Sequence, residues 1–203
     1  MVRSTISGYR TKKGIHKMFI QTEVTPNPAT LKFLPGNTVL ESGTADFPSK
    51  STSEKSPLAV RIFENEGVEG VFLGTDFITV TKGEGIEWDH IKTAILGSIM
   101  AHYQSGQPAV SAEATESGHA SHSGENSEIV SQIKELLDTR VRPAVAQDGG
   151  DIVFHGFDSG VVYLHMQGAC AGCPSSTLTL KMGIENLLRH YIPEVLEVRP
   201  VAI

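Results

Sequence analysis

From Gln104 the chain reads "QSGQPAVSAEATESGHASHSGEN", a run of Ser, Gly, Ala and Glu without a single aromatic residue. A segment this poor in apolar side chains cannot offset the entropy of ordering its backbone, so it reads as a flexible linker. It constrains the fold more than any other feature, because it splits the 203 residues into two small pieces, each of which must bury its own core. His119 and His122 lie inside it and read as solvated linker rather than metal ligands. Hydrophobic residues make up 39% and charged residues 20%, enough apolar side chain for two cores. A net charge of −6 argues against a nucleic-acid partner, which calls for a basic face. No apolar run approaches the roughly 20 residues of a membrane-spanning helix.

The expected division is a leader or disordered tail over 1–17, a first domain over 18–103, a linker over 104–126 and a second domain over 127–203. The opening "MVRSTISGYRTKKGIHK" is basic and acid-free and is read either as a targeting leader or as residues ahead of a start at Met18. In the first domain, "FIQTEVT", "LKFLPG" and the two halves of "GVFLGTDFITVTKG" predict strands, and "LAVRIFENEG" a strand or short helix. Trp88, Ile91, Ile95, Ile99 and Tyr103 recur at helical spacing. The predicted order is β-β-(α)-β-β-α. No catalytic triad, phosphate loop or dinucleotide fingerprint is present; Asp76, Glu84 and Glu87 read as surface residues, and Trp88 as core.

In the second domain, Ile129, Ile133, Leu136 and Leu137 form one stripe of a helix capped at Asn126 or Ser127. "QDGGD" breaks it, and "IVFHGF" and "VVYLHM" flank a "DSG" turn as a hairpin. Leu180, Ile184, Leu187, Leu188 and Tyr191 mark a second amphipathic helix, and "EVLEVRP" a closing strand. The order is α-β-β-α-β, so the chain is α+β, two small domains joined by a linker.

The two cysteines of the chain, Cys170 and Cys173, sit in "GACAGCPSS" between a strand end and a helix start. Gly168 and Gly172 allow a tight bend, and Pro174 suits a first helical turn. The positive end of that helix is expected to favour thiolates, drawing both cysteines below the ~8.5 of a free thiol. So few cysteines fit a reducing compartment. Three chemistries compete for the pair. A redox dithiol of thioredoxin type needs more chain after the bend than one helix and one strand. A structural zinc site needs four ligands, and His155 and His165 lie on strands without a second C-x-x-C. An iron–sulfur cluster also needs about four thiolates, so one chain supplies half and two chains, meeting on a two-fold axis, supply the whole.

Two stretches, "AQDGGDIVF" and "GACAGCPSSTLTLKMGIENLLRHYIPEVLEV", resemble the C-terminal domain of the NifU-like (Nfu) iron–sulfur carriers. Asp148, Gly149, Gly150 and Asp151 match its D-G-G-D, and Gly168 to Leu180 its G-x-C-x-x-C-P-S-S-x-x-T-L. "FIQTEVTPNPATLKFLPG" and "LESGTADF" resemble the Nfu N-terminal domain. The resemblance implies a carrier without catalytic activity. It would hold a [4Fe–4S] cluster, or under some conditions [2Fe–2S], between Cys170 and Cys173 of two chains and pass it to apo-proteins. Its implied partners are a second copy, apo iron–sulfur acceptors and upstream assembly proteins, with no nucleic acid and no membrane. The D-G-G-D run is expected to be structural. The assembly and ferredoxin-like domains of full-length NifU have no counterpart in this sequence, so carriage is expected rather than de novo assembly. The expected compartment is the cytoplasm for a bacterial source and the mitochondrial matrix for a eukaryotic one.

Overall fold

The computed structural model describes residues 19–111, 127–172 and 174–201. His119, His122 and the capping residue Asn126 lie outside them, as does the 1–17 leader. The first domain has the strands β1 (Gln21–Val24), β2 (Thr30–Leu34), β3 (Ala45–Phe47), β4 (Val68–Leu73) and β5 (Ile78–Lys82). They form one antiparallel sheet in the order β1-β2-β5-β4-β3. Helices α1 (Pro57–Phe63) and α2 (Trp88–Ser105) supply the rest of the core. Alternation decides which strand residues join them: Leu31, Phe33, Val71, Leu73, Ile78 and Val80 point to the helices. On α2, Ile91, Ile95 and Ile99 meet that face, and full burial stabilises each by roughly 1.5–3 kcal/mol.

Two readings are sharpened here. The first six residues of "LAVRIFENEG" are helix, started by Pro57 at its first position and by Ser56, whose Oγ accepts from Ala59 N at 3.0 Å. The strand β3 was not expected; three residues are too few to show a period, and they are strand only because they pair with β4. Gln104 and Ser105 belong to α2, which ends on Gly106 in left-handed backbone. Beyond it, Ser56 Oγ donates to Ala109 O at 2.6 Å and Ser111 N to Lys55 O at 2.8 Å, so this part of the expected linker lies bound to the first domain.

The second domain runs α3 (Ser127–Leu136), a π turn (Leu137–Val141), α4 (Arg142–Gln147), β6 (Gly150–Asp158), β7 (Val161–Gly168), α5 (Pro174–Tyr191) and β8 (Glu197–Val201). The wide turn precedes Pro143, which has no N–H to donate and whose ring crowds the turn before it. β6 and β7 are antiparallel, and β8 lies parallel to β7, reached through α5. Ile133, Leu137, Leu164, Ile184, Leu188 and Val198 centre a second, separate core. Tyr191, expected on the apolar face of its helix, is 49% exposed, with the Arg140 guanidinium 5.8 Å from its ring centre.

The two domains meet through the outer face of the first sheet, the face turned away from α1 and α2. Strand register places Asp46, Phe72, Thr79 and Lys32 in one row across β3, β4, β5 and β2. Each has inward-facing neighbours, so the row itself should be open to solvent. Instead Phe72 is 1%, Thr79 0% and Lys32 8% exposed, because the second domain lies over them. Lys32 Nζ donates to Gln147 O at 2.9 Å and Thr79 Oγ1 to Gly149 O at 2.6 Å.

Candidate functional site at the cysteine bend

β7 ends on Gly168 with φ +59°, and Gly172, φ +80°, turns the chain toward Pro174, the first residue of α5. The expected strand–bend–helix framework is therefore present. The chemistry at Cys170 departs from expectation. Its side chain is 5% exposed and packs with the second core rather than standing at the surface. Burial, with Asp148 and Asp151 nearby, pushes its thiol up to about 12 instead of drawing it down. Helix-dipole reasoning weighs the helix alone; here desolvation and two carboxylates outweigh it. Cys173 lies outside the described residues.

The backbone amides of the bend are hydrogen-bonded within the protein. In this conformation Ala169 N donates to Gly149 O at 3.1 Å, Cys170 N to Gln167 O at 3.2 Å and Ala171 N to Gly168 O at 3.1 Å. Thr177 Oγ1 donates to Cys170 O at 3.2 Å, tying α5 to the bend. The bend is thus closed on itself, and its amides become available only when it opens.

In the D-G-G-D run, expected to be structural, Gly149, Gly150 and Asp151 each have a structural task. Gly149 carries φ +85°, beyond the end of α4. At Gly150 a Cβ would fall 2.5 Å from Cys170 Sγ and 2.7 Å from Gln167 O, so its missing side chain makes the space in which the thiol sits. Asp151, 3% exposed, accepts from Arg142 Nε and Nη2 at 2.8 Å each, from Ile152 N at 2.7 Å and from Thr44 Oγ1 of the first domain at 2.9 Å. Those hydrogen bonds hold the Arg142 guanidinium above its ordinary range. A buried carboxylate so fully matched is a fixed strut beside the bend.

A cavity of about 670 Å³ opens beside the bend, lined by Asp46 and Thr52 from the first domain and by His165, Cys170, Gly172 and Thr177 from the second. Burial raises the Asp46 carboxyl to about 6, against the pull of His165 and the Gly168 backbone. His165 Nδ1 lies 3.2 Å from Val201 O, while His155 is exposed on β6. Among the described residues no three His, Cys, Asp or Glu side chains gather to hold a metal ion. Sequence reasoning missed Asp46, Thr44 and Arg142 at this site, because each reaches it from elsewhere in the chain.

Residues 20–106 match the family profile described as "Scaffold protein Nfu/NifU N terminal", and residues 133–199 match "NifU-like domain". The chain belongs to the Nfu family. Over 182 residues, 89% of this chain and 71% of the relative, it is 53% identical to the human "NFU1 iron-sulfur cluster scaffold homolog, mitochondrial". Over 181 residues it is 53% identical to the Arabidopsis thaliana "NifU-like protein 4, mitochondrial", covering 88% of this chain and 64% of that one. Some of these Nfu relatives are therefore matched over less than two thirds of their own length. A solution structure of a NifU-like protein from Saccharomyces cerevisiae aligns at 26% identity with a TM-score of 0.43, covering 52% of this chain and 99% of that one. Among the described residues no helix is long and apolar enough to cross a membrane.

Proposed function

We propose that the protein is an iron–sulfur cluster carrier that holds a [4Fe–4S] cluster between Cys170 and Cys173 of two chains and delivers it to apo-proteins. The reading is supported by the C-x-x-C spacing of Cys170 and Cys173 in the sequence between β7 and α5, in a chain where both Nfu domains match in order. Two thiolates are half of a cluster's need, so a second copy completes the coordination. The relatives' names speak of a scaffold for such clusters. In delivery the cluster moves intact: iron–thiolate bonds to the carrier break as bonds to the acceptor's thiolates form. The released carrier thiolates take up the protons that the acceptor thiols give up. No electron is exchanged, and no general acid, base or nucleophile is needed, which makes the protein a carrier rather than an enzyme. Apo iron–sulfur proteins and upstream assembly proteins are its partners. The relatives' names favour the mitochondrial alternative over the cytoplasmic one.

The site itself sets a condition. Cys170 Sγ packs beside Gly150 inside the second domain, so ligation requires the bend to turn that thiol outward. Anaerobic reconstitution of Cys170→Ala and Cys173→Ala tests the assignment. Each variant is expected to lose the broad visible absorption of the cluster while keeping its far-ultraviolet circular dichroism. A full cluster in either single variant would refute ligation by the pair.

A further inference from the structure

We infer that the outer row of the first domain's sheet is a docking surface for the chain's own cysteine bend, and that docking there excludes sharing of Cys170 with a second copy. The inference rests on the carrier reading and adds to it a role for the first domain. The row meets the second domain at successive points around the bend. Phe72 faces Gly168, where a Cβ would come within 2.9 Å of its ring. Asp46 lines the cavity beside the bend together with Cys170 and Gly172. Thr79 binds Gly149 O, and a Cβ on Gly149 would lie 2.7 Å from its hydroxyl oxygen. Lys32 binds Gln147 O. Beside the row, Asn27 Nδ2 donates to Ala171 O at 2.9 Å, directly on the residue after Cys170.

These donors are also held by contacts within the first domain. Asn27 Oδ1 accepts from Ala29 N at 3.0 Å, which fixes the amide so that its N–H₂ points outward. Lys32 Nζ is held by Glu23 at 3.5 Å and over the Phe77 ring at 4.9 Å. Phe72 and Phe77 are buried but belong to neither domain's core; Phe72 is the apolar part of the contact, with the Phe77 ring 5.9 Å from its own. Every acceptor they serve, apart from Asp151, is a backbone carbonyl of 147–171, so the surface reads the shape of the bend and its glycines. That shape is the one with Cys170 tucked inward. A shared cluster needs the thiol outside, next to a partner's thiols. The first domain therefore fastens the empty bend shut, and loading a cluster requires the two domains to part.

The rate of Cys170 alkylation in the full chain, in a Cys173→Ser background, tests this. Asn27→Ala, Lys32→Ala and Thr79→Val each remove one fastening, and each is expected to raise the rate about fivefold, the worth of one hydrogen bond. Thr79→Ser keeps the hydroxyl and is expected to leave the rate unchanged. Unchanged rates in the first three variants would overturn the inference, as would equal acceleration in Thr79→Ser, which would trace the effect to general loosening. Cluster reconstitution of the same variants with both cysteines present is scored separately. Full clusters with unchanged alkylation rates overturn the docking role and leave the carrier reading standing. Accelerated alkylation with no cluster in any variant or in the wild type overturns the carrier reading, and with it the exclusion of a second copy.

Discussion

The two ends of the β6–β7 ribbon are both closed by glycines, yet they are built on different terms. At one end Ser159 and Gly160, φ 49° and 83°, make a two-residue turn between Asp158 and Val161 whose outside contacts stay within the second domain, Gly160 O accepting from Leu196 N at 2.8 Å and Glu197 N at 3.2 Å. At the other end Gly149, Gly150 and Gly168 leave space that others fill: a thiol, a phenylalanine ring and a threonine hydroxyl. The first end is a connection. The second has to change shape under the carrier proposal, and its conformation is held by contacts several of which come from another domain. Glycine supplies left-handed backbone at both ends, and only at the second does it also admit side chains of the other domain.

Substitutions that strike one end and spare the other probe this contrast. The largest effect is expected from Arg142→Ala, which strips the buried Asp151 carboxylate of its bidentate partner and should cost about 3–5 kcal/mol in chemical denaturation of the second domain. If the loss stayed under about 1 kcal/mol, the strut beside the bend would not be what supports that end. Gly150→Ala comes next. Its methyl group meets Cys170 Sγ and the backbone of Gln167 and Cys170, which cannot all yield, at a cost of about 1–3 kcal/mol. Gly160→Ala sets a side chain on left-handed backbone, φ 83°, beside the exposed Leu196 side chain and the Glu194 carbonyl, and should cost about 1–2 kcal/mol. Equal losses in the two variants would erase the distinction between the ends. A change smaller still is expected for Ser159→Gly, within about 0.5 kcal/mol either way, because relief of left-handed backbone is offset by glycine's entropy.

Acid bears on the open end through the domain that covers it. His102 is buried on α2, its Nδ1 without a hydrogen-bond partner, and burial, then Arg61, holds its pKa below 6.5. The unfolded chain takes up a proton below 6.5 that the folded domain refuses, so stability of the first domain should fall as pH drops through that value. Denaturant melts followed by the fluorescence of Trp88, the single tryptophan, are expected to show this slope, and His102→Gln to flatten it.

Much of the fold could be read in advance because it is periodic. Ile91, Ile95 and Ile99 on one helix, and Ile184 and Leu188 on another, declare their faces at 3.6-residue spacing. β3 could not be read, since three residues carry no period. Nor could the meeting of the domains. Lys32 and Thr79 alternate with apolar neighbours as solvent-facing strand residues do, and only the second domain lying over them buries them. The bend itself was legible from Gly168, Gly172 and Pro174, whose local geometry is set by residue type. The state of Cys170 was not, because it depends on Gly150, Asp148 and Asp151, which are distant in sequence from the helix start that seemed to govern it.

The central claim is that one chain holds half a site. Anaerobic reconstitution followed by Mössbauer spectroscopy, iron analysis and size-exclusion with mass determination tests it in one preparation. The account predicts a [4Fe–4S] signal with about two irons per chain, confined to a species of twice the chain mass. A monomer that retains an intact cluster of about four irons on its own two cysteines would contradict it.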